Sequence, residues 1–234
     1  MLNNNFPKVK MPKKRFLLIS ILALFIFLTY YANAYDLPRF FPFNKENALS
    51  EWQEKIFKNK VLYRVEPKRE GGYLLAKSDK ACSGIFYKIK FNPKEYPFIS
   101  WKWKILTFPK KDKNKDVVGG WLERDDYAAR VYIIFPAFIF FNTKAIEYIW
   151  DETLPEGTIL TSPYWHNIKL LVIESGRKNI GQWVIEERNI YQDYRQAFGS
   201  NAGGVGAIAL MTDTDNTLST AEALYKEIKV GFKK

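Results

Sequence analysis

Phe98-Ile99-Ser100-Trp101-Lys102-Trp103-Lys104-Ile105 is the stretch whose reading decides the fold. Ile99, Trp101, Trp103 and Ile105 alternate with Ser100, Lys102 and Lys104. A period of two sends the large apolar groups to one face of an extended chain and the lysines to the other. Such a strand needs a second layer over its aromatic face and tolerates water on the other. Working outward, short strands are expected at 61–66, 73–78, 84–90, 127–135, 168–174, 182–188, 205–212 and 225–232. Gly71-Gly72 lies between the first two and suits a hairpin turn. Two segments break the rhythm. Residues 136–150 are apolar without strict alternation, which predicts a helix or a packed loop. Residues 190–198 have a helix-like composition and meet a stop at Gly199. Nine or ten short strands with one or two short helices predict an all-β, single-domain, jelly-roll-like β-sandwich. A doubly wound fold would need repeated strand–helix alternation, and the chain has none.

Ahead of this domain stand Lys8, Lys10, Lys13, Lys14 and Arg15, then an apolar run at 16–31, then Ala32-Asn33-Ala34. A basic head, an apolar run and an Ala-x-Ala end read as a secretory signal peptide cleaved after Ala34. The run is shorter than the ~20 residues of a spanning helix; an uncleaved anchor facing the periplasm is the alternative. The expected organisation is a signal peptide at 1–34, an aromatic lead-in at 35–60 and a sandwich at 61–234. The expected location is periplasmic or extracellular, with membrane contact only through an uncleaved N-terminal segment.

The formal net charge of the 234-residue chain is +11. Residues 1–34 hold five cations and no acids, so removing them leaves +6. Nucleic-acid binding loses its main support with those charges. The remaining lysines cluster at Lys110, Lys111, Lys113 and Lys115 and at Lys226, Lys229, Lys233 and Lys234. They read as solvated loop and tail, or as a surface for anionic envelope polymers or lipid headgroups. Cys82 is the single cysteine, so no intrachain disulfide can form, and it reads as a buried structural thiol.

Much chemistry is absent. His166 is the single histidine and cannot supply a histidine-rich metal site or, without a nucleophile motif, a triad. There is no Gly-x-Ser-x-Gly, no His-Glu-x-x-His and no phosphate loop. Three polar clusters remain. In Asp125-Asp126-Tyr127-Ala128-Ala129-Arg130, alternation puts Arg130 and Tyr132 on one strand face, where they could hold a carboxylate or sugar hydroxyls; the alternative is that Arg130 pairs with Asp125 or Asp126. In Glu186-Glu187-Arg188-Asn189, followed by Asp193 and Arg195, the charges form a binding surface with Trp183 or structural ion pairs. In 211–217, Asp213, Asp215 and Asn216 offer short oxygen ligands of the kind calcium takes. The segment is no EF-hand, because Leu218 and Leu224 sit where glycine and the bidentate glutamate belong. The other readings are a self-bonded turn or a sugar site. Apart from this calcium reading at Asp213 and Asp215, no cofactor or metal is expected. Most tryptophans should be core; Trp121 and Trp165, in polar settings, are the ones expected to be exposed.

These pieces, in this order, resemble an uncharacterised bacterial family catalogued as domain of unknown function 3047. The resemblance rests on Ser83-Gly84, Tyr96-Pro97, Trp101-Lys102-Trp103, the Asp125–Tyr132 block, Tyr148-Ile149-Trp150, Glu174-Ser175-Gly176, Gly181-Gln182-Trp183, Arg188-Asn189, Asp193-Tyr194-Arg195, Phe198-Gly199 and the block at 211–217. It implies an exported β-sandwich and supplies no catalytic residues.

The leading functional expectation is a non-catalytic module of the cell envelope that binds a glycan or a small anionic ligand. Its candidate contacts are Asp125, Asp126, Arg130, Tyr132, Trp183, Arg188, Asp193, Arg195, Asp213, Asp215 and Asn216. One alternative is a polysaccharide-acting enzyme with paired carboxylates among Asp125, Asp126, Glu187, Asp213 and Asp215. The other is an envelope-assembly protein with a flat apolar patch.

Overall fold

A computed structural model describes residues 37–68, 71–111 and 125–234. The basic and apolar N-terminal segment, Lys113, Lys115 and Trp121 lie outside the described residues. Among the described residues, thirteen strands form two sheets. The six-stranded sheet has the order β11 (Val184–Asn189), β6 (Phe98–Thr107), β13 (Thr220–Phe232), β4 (Tyr73–Asp79) and β3 (Leu62–Glu66), with β1 (Arg39–Phe41) also paired to β13. The seven-stranded sheet runs β2 (Gln53–Lys58), β5 (Cys82–Phe91), β12 (Val205–Asp213), β7 (Arg130–Phe135), β8 (Lys144–Asp151), β10 (Ile168–Ser175) and β9 (Ile159–Thr161). All pairs are antiparallel except β8 with β10. The fold is an all-β sandwich.

Strand β6 behaves as its alternation requires. Ile99, Trp101, Trp103 and Ile105 are buried. Trp101 packs on Tyr148 at 5.4 Å between ring centroids and Trp103 on Trp150 at 5.9 Å, so β6 and β8 face each other across the core. On the outer face Lys102 pairs with Glu227 at 2.5 Å, and Lys104 lies 5.0 Å from the Trp183 ring centre.

The segment at 136–150 departs from expectation. Its helical part is one 3-10 turn, Phe140–Asn142, and its second half is strand β8. Strand β8 has paired neighbours on both sides, and Ala145 through Asp151 are all buried. A strand covered on both faces has no polar alternation to read. The helix expected at 190–198 is α1 (Ile190–Phe198). Asn189 caps it by accepting the Gln192 N–H at 3.0 Å, and Gly199 ends it at φ +65° in the left-handed region that glycine tolerates.

One property of the seven-stranded sheet positions the site. Ile85, Tyr87 and Ile89 of β5, Val131 and Ile133 of β7, and Ile208 and Leu210 of β12 point into the core. Their alternates Phe86, Ile134, Ala145, Ala207 and Ala209 form a second apolar cluster, joined by Phe57, Tyr132 and Ile168. That cluster lies on the sheet face turned away from the other sheet.

Candidate functional site

A cleft of about 140 Å³ opens on this outer face. Its walls are apolar, from Phe57, Ile134, Ala145, Ile168, Ala209 and Met211, with Tyr132 and Tyr164 among them. One end is polar, with Lys58, Asp125, Arg130, Glu147, Ser162, Asp215 and Asn216. Gly84 of β5 also lines it; a Cβ there would come within 3.2 Å of the Leu210 carbonyl oxygen.

Two distant stretches of sequence build the polar end, and they interlock. Asp126, fully buried, accepts the Asn216 N–H at 3.1 Å, the Asn216 side-chain amide at 3.1 Å and the Thr217 N–H at 2.6 Å. In return Asp213 accepts the Tyr127 N–H at 3.0 Å, and Thr212 donates to the Ala128 carbonyl at 2.7 Å. The segment after β12 is thereby held as a fixed rim, and Asn216 in turn accepts from the Tyr164 hydroxyl at 3.1 Å.

Arg130 sits under this rim, 2% exposed. Its Nη2 donates to both Asp213 oxygens at 2.6 Å and to the Asp125 carbonyl. Its Nη1 donates to Glu147 Oε1 at 2.7 Å and to the Tyr132 hydroxyl at 3.3 Å. The guanidinium lies 4.7 Å from the Tyr127 ring centre, and the Asp125 carboxylate stays 3.9 Å from Nη1. Three carboxylates therefore surround one guanidinium out of water. Burial raises all three, opposed by Arg130: Asp125 is pushed up to about 7, and Glu147 and Asp213 are also raised. The Asp125 carboxylate, unlike those of Glu147 and Asp213, makes no direct hydrogen bond to the guanidinium. Strand β8 supplied a partner that sequence reasoning missed. Glu147 alternates with the core residues Ile146 and Tyr148, and the signal was available only if 144–151 was read as a strand.

Asp125, Asp126, Arg130, Tyr132, Asp213, Asp215 and Asn216 are brought together here. Trp183, Arg188, Asp193 and Arg195 are not. Arg188 forks onto Asp193 at 2.5 and 3.0 Å, and Asp193 takes the Tyr148 hydroxyl at 2.7 Å. Tyr148 follows Glu147 and points to the opposite side of the sheet, so this triad is separated from the cleft by the sheet itself. Trp183 covers Lys104 and Lys226, and Arg195 is exposed on α1. Of the remaining acids, Glu187 pairs with Lys234.

One local expectation is corrected. Lys111 is no solvated lysine: it lies 3.6 Å from Asp151 and 4.0 Å from the Tyr127 ring centre. Cys82 is half-buried, and its sulfur and carboxylate oxygens of Asp213 and Asp215 lie within 4.8 Å of one another. Burial and then Asp213 hold its thiol well above the usual range, against thiolate chemistry. Asp213 is committed to Arg130, while Lys58 donates to the Asp215 carbonyl at 2.9 Å and lies 3.7 Å from its carboxylate. A calcium ion at Asp213 and Asp215 would have to compete with both cations.

Residues 50–229 match the family described as "Protein of unknown function (DUF3047)". The chain belongs to this family. The matched span contains every residue of the cleft, both interlocking blocks and Glu147. No curated protein matches the chain. Among solved structures, it is similar to the family 11 carbohydrate-binding module of the cellulosomal cellulase Lic26A-Cel5E of Clostridium thermocellum, at 10% identity and TM-score 0.43, over 78% of this chain and 88% of that one. A family 30 carbohydrate-binding module of cellulase Cel9D-Cel44B from the same organism gives 6% identity and TM-score 0.43, over 79% and 92%. The xyloglucanase domain of NopAA from Sinorhizobium fredii gives 8% identity and TM-score 0.39, over 78% and 96%.

Proposed function

We propose that this DUF3047 protein is an exported envelope protein that binds a neutral glycan, without turnover, in the cleft on the outer face of its seven-stranded sheet. The observation that carries the reading is the state of Arg130. Its outer N–H groups are already taken by Asp213, Glu147, Tyr132 and the Asp125 carbonyl. It is therefore not available to an anionic ligand, and the surrounding acids repel one. A neutral polyol suits the rest: Phe57, Tyr132 and Tyr164 offer ring surface to sugar C–H faces, while Lys58, Ser162, Asp215 and Asn216 offer donors and acceptors at one end. Export follows from the N-terminal reading and predicts a mature chain starting at Tyr35, checked by intact-mass measurement of the protein recovered from the envelope fraction.

The binding test is a glycan array with the purified protein, followed by titration of the best ligand. Phe57→Ala and Tyr164→Ala should each weaken binding about tenfold. An array without a hit, or two variants that bind like the parent, overturns the reading. One observation favours a second reading as a polysaccharide-acting enzyme: Asp125, pushed up to about 7, lines the cleft beside Glu147 and could serve as a general acid. Release of reducing ends from the array hit, abolished in Asp125→Asn, would decide for it.

A further inference from the structure

The β7–β8 connection carries Phe138-Ile139-Phe140-Phe141. Phe138 is 90% exposed, Ile139 58% and Phe141 59%. Three exposed apolar side chains on one short loop mark an interaction site. The tip is also built. Asn142 donates to the Ile139 carbonyl at 2.9 Å, Ala137 N–H to Thr143 Oγ1 at 3.1 Å, and Asn167 to the Phe141 carbonyl at 2.8 Å. The Phe141 ring stacks on Trp165 at 6.1 Å and 13°, and Trp165 stacks on exposed His166 at 6.1 Å and 10°.

Lysines surround this tip. Lys144 pairs in register with Phe135 at the base of the loop, and its ammonium turns to the helix side, 4.7 Å from the Phe198 ring centre and 5.4 Å from that of Tyr194. Lys88 pairs with Ala207, which pairs with Ile134, and Lys90 follows Lys88 on the same outer face of β5. Lys169 leaves the neighbouring loop on β10 and donates to Thr161 at 2.6 Å. Among the described residues none of these four lysines is in a salt bridge. Glu95, in the turn after β5, takes the Asn92 amide at 2.8 Å.

We propose that this tip docks on an anionic lipid surface, with Phe138 and Ile139 entering the headgroup–acyl boundary, Trp165 and His166 at headgroup level, and Lys88, Lys90 and Lys169 facing lipid phosphates. The chemistry favours lipid over a protein partner. A stable protein interface covers about 800 Å² on each side, and a single loop tip is too narrow for that. Interfacial insertion reaches only ~5–10 Å and is what a few apolar side chains in a basic collar provide. Tyr164 and Ile168 line the cleft and adjoin Trp165, so docking would turn the cleft mouth toward the membrane surface. The proposal is independent of the glycan reading.

The test places a reporter at the tip of the full chain, because the N-terminal apolar run could bring the protein to vesicles by itself. Phe138→Trp and, as a second variant, Ile139→Trp add an indole where exposure makes folding insensitive to the change. With phosphatidylcholine–phosphatidylglycerol vesicles carrying brominated lipid, the added indole should be quenched, shift to the blue and lose its access to acrylamide. The effect should be lost in pure phosphatidylcholine and on adding Lys88→Gln with Lys90→Gln. If both variants are quenched no more than the parent, or the added indole stays open to acrylamide on anionic vesicles, the proposal is wrong. Protection from acrylamide that grows with protein concentration without vesicles would assign the tip to a second copy instead, and overturn it as well.

Discussion

Arg130 shows why a motif residue and a ligand-binding residue need not be the same thing. Its alternation with Tyr132 was legible, as was the pairing with nearby acids, but the partners Glu147 and Asp213 lie 17 and 83 positions away and only the sheet registers bring them in. Removing one partner of a buried ion cluster leaves uncompensated charge, so Arg130→Met should destabilise the fold by about 3–5 kcal/mol in urea titrations. Loss of glycan binding in that variant would therefore report folding first. The cluster also predicts a pH dependence. Asp125 has a folded value of about 7 against an ordinary 3.8. Between those values the folded state binds more protons than the unfolded state, so stability must fall as pH rises from about 4 to about 7. At ~1.4 kcal/mol per pH unit the upper limit is about 4 kcal/mol. Asp125→Asn, which keeps the carbonyl that Arg130 uses, should flatten that slope in urea midpoints measured across the range. Glu147 and Asp213, raised in the same direction, should leave a residual slope of the same sign.

At the level of elements, the two polar blocks are one structural unit. Asp126 alone holds two backbone N–H groups and an amide of the segment after β12. Hydrogen bonds to a charged group are worth about 1.5–3 kcal/mol net, and these share one carboxylate. Asp126→Ala should cost about 3 kcal/mol and raise amide exchange at Asn216 and Thr217 ahead of the β-core, while Asp126→Asn should recover part of both. Equal exchange in parent and variant would show that the rim is held by other contacts. The sequence pattern exposed strands with one wet face, such as β6, because alternation survives there. It concealed β8, whose two faces are both covered. That single misreading also hid Glu147, since a glutamate in a loop says nothing about which face of a sheet it joins. The Arg188–Asp193 pair failed as a site for the opposite reason: its strand and helix were read correctly, but the Tyr148 hydroxyl that completes the triad lies on the core side of β8.

The whole molecule is held by strands from its lead-in segment in both sheets. Strand β1 pairs with β13 in one sheet, and β2 pairs with β5 in the other. Phe41, Phe43 and Trp52 reach the core, exposed by 5%, 0% and 8%. Phe41 packs edge-on against Tyr87 at 4.7 Å and Trp52 at 5.1 Å. A domain boundary near residue 60, natural from composition alone, would cut through this packing. Burying each such side chain contributes about 1.5–3 kcal/mol, so the three together approach the ~5–15 kcal/mol by which a typical domain is stable. Loss of β2 would also bare the edge of β5, a pairing template for other chains. A chain beginning at Val61 is therefore expected to aggregate or to lack a cooperative thermal transition, whereas one beginning at Tyr35 should melt as a single unit. The comparison by differential scanning calorimetry and size-exclusion chromatography is direct. A cooperative, monomeric Val61 chain would mean that the lead-in merely decorates a sandwich able to stand without it, and would place the source of its stability in the aromatic layer between β6 and β8.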